Sequence, residues 1–321
     1  MTRYARQMVL PQIGAQGQQR WAAAHVLVVG AGGLGVPALQ YLAGAGIGQI
    51  TLVDGDRVEE TNLHRQPIYR MDQIGQPKAQ AAATIMTGMN PAVRVIPRVE
   101  WLTPANAPAL VDAADVALDC ADSFAVSLTL SDACMAAGRP LIAGSALALS
   151  GYAAGCCGGG PSLRAIFPDL PLRGATCATA GVMGPVVGMI GALQAQMALA
   201  VILKLAPGPL GRLISFDAAT WRTGGFRFDE AAEPAAPLPF IAVDQIAPDD
   251  LLVDLRTEAD LPFDFRARHL PPERIAELSP APDRRVVLAC RTGLRAHNAG
   301  QALQARWPGR IALLAVTDPV T

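Results

Sequence analysis

The sequence predicts an α/β protein: a doubly wound, mainly parallel sheet with helices on both faces, followed by a second, small α/β domain. Three observations predict it. Short β-branched apolar runs alternate with helical patterns over the first two-thirds of the chain. A glycine-rich turn follows the first of those runs. At residues 229–239 the texture changes to DEAAEPAAPLP, rich in Ala, Pro and acid, which reads as a linker. The expected division is therefore a domain over residues 1–228, the linker, and a short domain over 240–321.

The first unit is HVLVVGAGGLGVPALQYLAGAG, from His25 to Gly46. Val26 to Val29 reads as a parallel strand buried on both faces. The turn Gly30-Ala31-Gly32-Gly33-Leu34-Gly35 opens a helix whose apolar positions are Leu34, Ala38, Leu39 and Leu42, and a second strand, Gln49 to Val53, ends at Asp54. Strand, glycine turn, helix, strand and acidic residue make a βαβ nucleotide-binding unit. Further strands are expected at Val93–Ile96, Val116–Asp119 and Leu141–Ala143, with helices at Lys78–Gly88 and Ser127–Ala137. Beyond the linker, Leu251–Asp254, Arg285–Ala289 and Ile311–Val316 read as strands and Ala296–Ala305 as a helix.

Composition narrows the function. A net charge of -1 over 321 residues gives no large electrostatic footprint for nucleic acid. Six cysteines in a chain this long are not a disulfide scaffold, and MTRYARQMVL has no signal-peptide core, so a reducing, cytoplasmic setting is expected. The stretch from Ala178 to Leu203 carries no charge and meets the length test for a membrane span. Its five interruptions by Gly and Pro, with Gln194 and Gln196, favour a loop leading into a core or interface helix, so no membrane is expected.

A glycine turn serves NAD, FAD, S-adenosylmethionine or ATP equally well: it lets backbone approach phosphate, and an acidic residue after the second strand can bind ribose. The stretch VDGDRVEETNLHRQPIYRMDQIGQPKAQAAA then adds Arg65 and Lys78 above the strand ends. Hydride transfer has no use for two fixed cations there, whereas a triphosphate needs them to neutralise charge spreading in the transition state. LDCADS supplies Asp119 and Asp122 after another strand, and a carboxylate here suits Mg²⁺ shared with phosphate oxygens.

Together GAGGLG, VDGDRVEETNLHRQ, GQPKA, LDCADS and ATCATAGVMGPVVGMIGALQA resemble the MoeB/ThiF group, bacterial relatives of ubiquitin-activating enzymes, from about Arg3 to Trp221. The resemblance implies an eight-stranded Rossmann-like homodimer. It implies ATP- and Mg²⁺-dependent adenylylation of the terminal glycine of a small ubiquitin-like sulfur-carrier protein ending in Gly-Gly. Carried onto this sequence, Gly33 within Gly30, Gly32, Gly33 and Gly35 approaches the phosphates and Asp54 binds the ribose. Asn62 and Arg65 contact phosphates, Lys78 reaches the triphosphate, and Asp122 binds Mg²⁺ beside Ser123. Arg6 is implied to enter the partner subunit's ATP site. A carboxylate is already ionised near pH 7, so in-line attack on the α-phosphate needs positioning and charge neutralisation rather than a strong base.

The chain departs from the group at the zinc that many members hold: Ser162 and Ala165 stand in the positions of the first Cys pair, and no second CxxC follows SFDAATW. No zinc is expected. Ser123 stands where the group usually has Asn. Cys177 occupies the position of a loop cysteine that in some members bonds covalently to the carrier; a buried apolar role remains open for it. Cys290, in VVLACRTGLRA, follows an apolar strand and precedes a short loop and a helix, an arrangement whose amides would lower a thiol pKa and cradle a persulfide. This resembles the active loop of rhodanese, as do Asp254, Arg256 and His269–Pro271. It implies sulfur transfer, with a cysteine desulfurase or another sulfur donor as supplier. Cys120, Cys134, Cys156 and Cys157 read as structural. The competing functions are an adenylating dehydratase acting on a modified tRNA nucleoside and, less well supported, an NAD-dependent oxidoreductase.

Overall fold

A computed structural model describes residues 3–170, 180–256, 264 and 266–316. Its larger sheet has eight strands in the order β3-β2-β1-β4-β5-β6-β7-β8. The strands are β1 (His25–Val29), β2 (Gln49–Val53), β3 (Arg94–Arg98), β4 (Val116–Asp119), β5 (Pro140–Leu147), β6 (Ser150–Cys157), β7 (Arg212–Asp217) and β8 (Arg222–Arg227). β1 to β5 are parallel, and β6 to β8 are added antiparallel. The chain places β2 and β3 on one side of β1, and β4 and β5 on the other. The crevice between β1 and β4 is thus the point where strand order reverses, the usual ligand position in such sheets. Val29 pairs with both Val53 and Asp119, so Gly30, Asp54 and Cys120 leave the sheet at one level.

The helices are α1 (Ala5–Met8), α2 (Gly14–Ala23), α3 (Gly35–Ala45), α4 (Lys78–Met89), α5 (Ala107–Asp112), α6 (Phe124–Ala137), α7 (Leu163–Ile166) and α8 (Gly184–Leu203). The expected strands and helices of the first 143 residues appear with ends shifted by a few residues. The eight strands agree with the number the resemblance implied, but β6 to β8, and helices α1, α2, α5 and α7, were not located from the residue pattern. The uncharged stretch resolves into α8, long and apolar enough to cross a membrane but half buried against α3 and the sheet. It carries Gln194 fully buried, with Nε2 donating to the Asp119 carbonyl at 2.6 Å and the Ile142 carbonyl at 3.2 Å. A side chain on Gly191 would strike the Leu34 carbonyl, so glycine sets how closely α8 approaches α3.

The second sheet is all parallel, in the order β10-β9-β11-β12: β9 (Leu251–Asp254), β10 (Arg268–His269), β11 (Val286–Cys290) and β12 (Ile311–Ala315), with α9 (Leu294–Gln304) packed on β11 and β12. One apolar cluster runs from Leu27 and Val29 in the first sheet through Ala125 and Leu163 to Leu238, Phe240, Val253 and Cys290. Residues 229–239 cross this boundary under restraint. Ser162 donates to Glu233 from its backbone N–H at 2.6 Å and its hydroxyl at 2.5 Å. Arg164, buried on α7, forms a two-pronged pair with Asp132 on α6 at 2.7 and 2.8 Å and donates to the Leu238 carbonyl at 3.0 Å. The Phe240 segment then joins the edge of β12, with Ile241 N–H donating to the Leu313 carbonyl.

Candidate active site

The glycine turn is shaped by two contacts that exclude side chains. Gly30 has φ +98°, and a methyl group there would lie 2.6 Å from the Cys120 carbonyl; one on Gly35 would strike the Gly30 carbonyl. Only glycine combines that dihedral with that approach. Above Gly32, by contrast, the nearest atom to a methyl would be Gln66 Nε2 at 3.7 Å, so this backbone is open to a ligand. Gly33 packs on Val187 of α8.

Asp54 is drawn into the turn. One carboxylate oxygen accepts from Ala31 N–H at 2.6 Å and the other from Asp56 N–H at 2.7 Å. Burial pushes its pKa up, against the opposing pull of the Ala31 N–H and the Lys78 ammonium. Lys78 opens α4, and its side chain is only 7% exposed; Nζ pairs with Asp56 at 2.9 Å. A nearly buried ammonium held by one half-exposed carboxylate retains donors for an anion. Tyr69 ties the parts together, its hydroxyl donating to the Ala31 carbonyl at 2.9 Å and lying 3.4 Å from the Lys78 carbonyl.

Asn62 is buried and spends its side-chain oxygen on Glu59 N–H at 3.2 Å, fixing the turn that carries Arg65. Arg65 donates to the Thr61 carbonyl at 2.9 Å, and its Cα lies 3.6 Å from a methyl placed on Gly184, at the start of α8. The Gln66 side-chain oxygen is buried without a hydrogen-bond partner, beside the open backbone of Gly32. Asp122 is exposed, and Ser123 is the residue before α6. Asp119 lies wholly inside: it accepts from Ala121 N–H at 3.1 Å and from the Ser127 hydroxyl, and burial raises its pKa to about 6.

Thus the structure brings Gly30, Gly32, Gly33, Gly35, Asp54 and Lys78 together, with Asn62 and Arg65 on the adjoining turn and Asp122 and Ser123 after β4. It does not bring Arg6 to the site of its own chain. Arg6 is exposed on α1, whose Gln7 donates to the Ala45 carbonyl at the far end of α3, roughly 15 Å of helix from the glycine turn. Cys177 lies outside the described residues. Asp56, Gln66 and Tyr69 were not singled out from sequence. The only signal was the second Asp in VDGD, two residues past the ribose candidate.

At the end of β11, Cys290 is buried, and Ala296 N–H points at its sulfur from 3.4 Å. The loop after it folds onto the first sheet's helices: a methyl on Gly293, at φ +81°, would lie 2.6 Å from the Phe240 ring and 3.0 Å from Ala125 Cβ on α6. Asp254 and Arg256 pair at 2.8 Å, and His269 Nε2 sits 2.6 Å from the Arg256 carbonyl. The four other described cysteines are buried, and burial pushes their thiols up. Ser162, in the position of an absent zinc ligand, instead caps α7 by accepting from Arg164 and Ala165 N–H groups. Among the described residues, no three His, Cys, Asp or Glu side chains are grouped to hold a metal.

The chain is 48% identical over 219 residues to adenylyltransferase and sulfurtransferase MOCS3 of Bos taurus, covering 67% of this chain and 48% of that protein. It is 44% identical over 218 residues to adenylyltransferase and sulfurtransferase uba4 of Aspergillus fumigatus, covering 64% and 44%. It is 39% identical over 220 residues to the SAMP-activating enzyme E1 of Haloferax volcanii, covering 68% and 82%. The chain therefore spans about half the length of the first two relatives. Its fold is shared with crystalline E. coli MccB, with TM-score 0.65 at 20% identity over 73% of this chain and 75% of that one. The ThiF family matches residues 4–237, the span that contains the glycine turn, Asp54, Lys78 and Asp122, and the chain belongs to that family.

Proposed function

We propose that this chain activates the C-terminal glycine of a small ubiquitin-like sulfur-carrier protein by ATP-dependent adenylylation, and passes sulfur to it through Cys290. One observation carries the reading: the nearly buried Lys78 ammonium lies in the same small space as Asp54 and the glycine turn. Open backbone at Gly32, with the donor Gln66 Nε2 as the side-chain atom nearest to it, fits a polyphosphate lying across the turn. Asp54 would hold the ribose, while Lys78, Arg65 and Asn62 would neutralise and orient the phosphates. Mg²⁺, when bound at Asp122, would spread the phosphate charge. The carrier's carboxylate attacks the α-phosphorus, the bond to the bridging oxygen breaks, and pyrophosphate leaves with that electron pair.

The names of the relatives, adenylyltransferase and sulfurtransferase, support the adenylylation half, while the sulfur-transfer half rests on the resemblance of the Cys290 loop to that of rhodanese. The proposal includes a homodimer in which Arg6 serves the partner's site, a cytoplasmic setting, and a sulfur donor such as a cysteine desulfurase. It also includes division into an ATP-binding unit over 1–228 and a short rhodanese-like unit over 240–321. Exchange of labelled pyrophosphate into ATP tests it. Exchange should require a Gly-Gly-terminated carrier and should fall by at least about a hundredfold in Lys78→Ala. A wild-type protein that exchanges with no such carrier would sink the adenylylation reading.

A further inference from the structure

We infer that the Trp101 indole forms one wall of the base subsite and stacks on the purine ring of the bound nucleotide. This rests on the nucleotide reading of the glycine turn and Asp54. β3 pairs with β2, and Asp54 N–H donates to the Arg98 carbonyl at 3.1 Å, so the segment leaving β3 runs beside the segment leaving β2. Trp101 lies on the former and meets Gly55, the residue after the ribose carboxylate, on the latter. A methyl group on Gly55 would lie 2.7, 2.8 and 2.9 Å from indole atoms Cε2, Cδ2 and Nε1. The missing side chain is what admits the ring.

The indole is 42% exposed, yet its backbone is fixed. Asn106 donates to the Trp101 carbonyl at 2.9 Å and accepts from Thr103 N–H at 2.8 Å, while Leu102 is buried in the core. A large aromatic ring, partly exposed and carried on a fixed backbone, is a stacking platform prepared before the ligand arrives. Its position suits a base. With phosphates over Gly32 and ribose at Asp54, the base extends past Asp54 on the Gly55 side. Stacking favours the larger purine ring and tolerates differences at its edge.

The chain has four tryptophans, of which Trp21 and Trp307 are buried and Trp221 is 82% exposed. In a Trp221→Phe background, ATP should quench the emission of Trp101. By equilibrium dialysis, Trp101→Leu, which keeps bulk but no ring, should weaken ATP binding by about tenfold, and Trp101→Phe should recover most of it. Unchanged emission on saturation with ATP overturns the stacking role. So does a Trp101→Leu variant that binds ATP like wild type, or an equal loss in the Leu and Phe variants. Failure of the wild type to bind ATP at all overturns the nucleotide reading itself, and this inference with it.

Discussion

Asp119 sits at the carboxyl end of β4, 1% exposed, and still keeps a carboxyl group. Its pKa, about 6 when folded against a reference of 3.8, makes the sign of its effect definite. The folded state holds the proton more tightly, so its stabilising contribution is full below pH 3.8 and is lost as pH rises through 6. Asp119→Asn keeps the acceptor for Ala121 and Ser127 but cannot ionise. Denaturant melts of the nucleotide-free protein should therefore shift in favour of the variant by about 2 kcal/mol between pH 4.5 and 7.5. A pH-independent difference would mean that Asp119 is not held in its neutral form. Asp54 was legible in the sequence because it ends the apolar strand that follows the glycine turn and helix, and Lys78 because it joins Arg65 as a second cation downstream of that carboxylate. Tyr69 was not: nothing in residue order says that its hydroxyl reaches back to Ala31.

Among the elements, β1, β2 and β4 were legible because strands buried on both faces leave continuous Val, Ile and Leu. β6 and β8 were not. SGYAAGCC is built from small residues, and RTGGFR, at the sheet's exposed margin, has almost no apolar side chain to bury. Both owe their extended form to pairing with neighbours, a tertiary effect that local pattern does not carry. Helix α8 shows the opposite ambiguity: its composition fits a lipid span, and its burial places it in a protein core. Gln194 decides between them, since its amide answers two carbonyls in the sheet. Gln194→Leu keeps the volume and leaves both carbonyls short of a donor, so it should destabilise the protein by about 2–4 kcal/mol in denaturant unfolding. A neutral result would show that those carbonyls find other partners.

For the whole molecule, the reading of residues 229–239 as a linker rested on Ala, Pro and acidic content, which says nothing of what the segment touches. Leu238 and Phe240 are buried, Glu233 grips Ser162, and Arg164 joins α6, α7 and the segment itself. With one apolar cluster shared by both sheets, calorimetry should show a single cooperative endotherm. Two transitions separated by ten degrees or more would instead make the sheets independent.

The contact of Gly293 with Ala125 can also be expressed as a concentration. Cys290 is three residues from Gly293, and Asp122 is three from Ala125, so fully extended chain places the two within about 30 Å of each other. Two reacting ends confined to such a volume meet as if each were present at on the order of millimolar. Under the proposed function, a carrier charged at one end would encounter the sulfur at the other whatever the dilution of the enzyme.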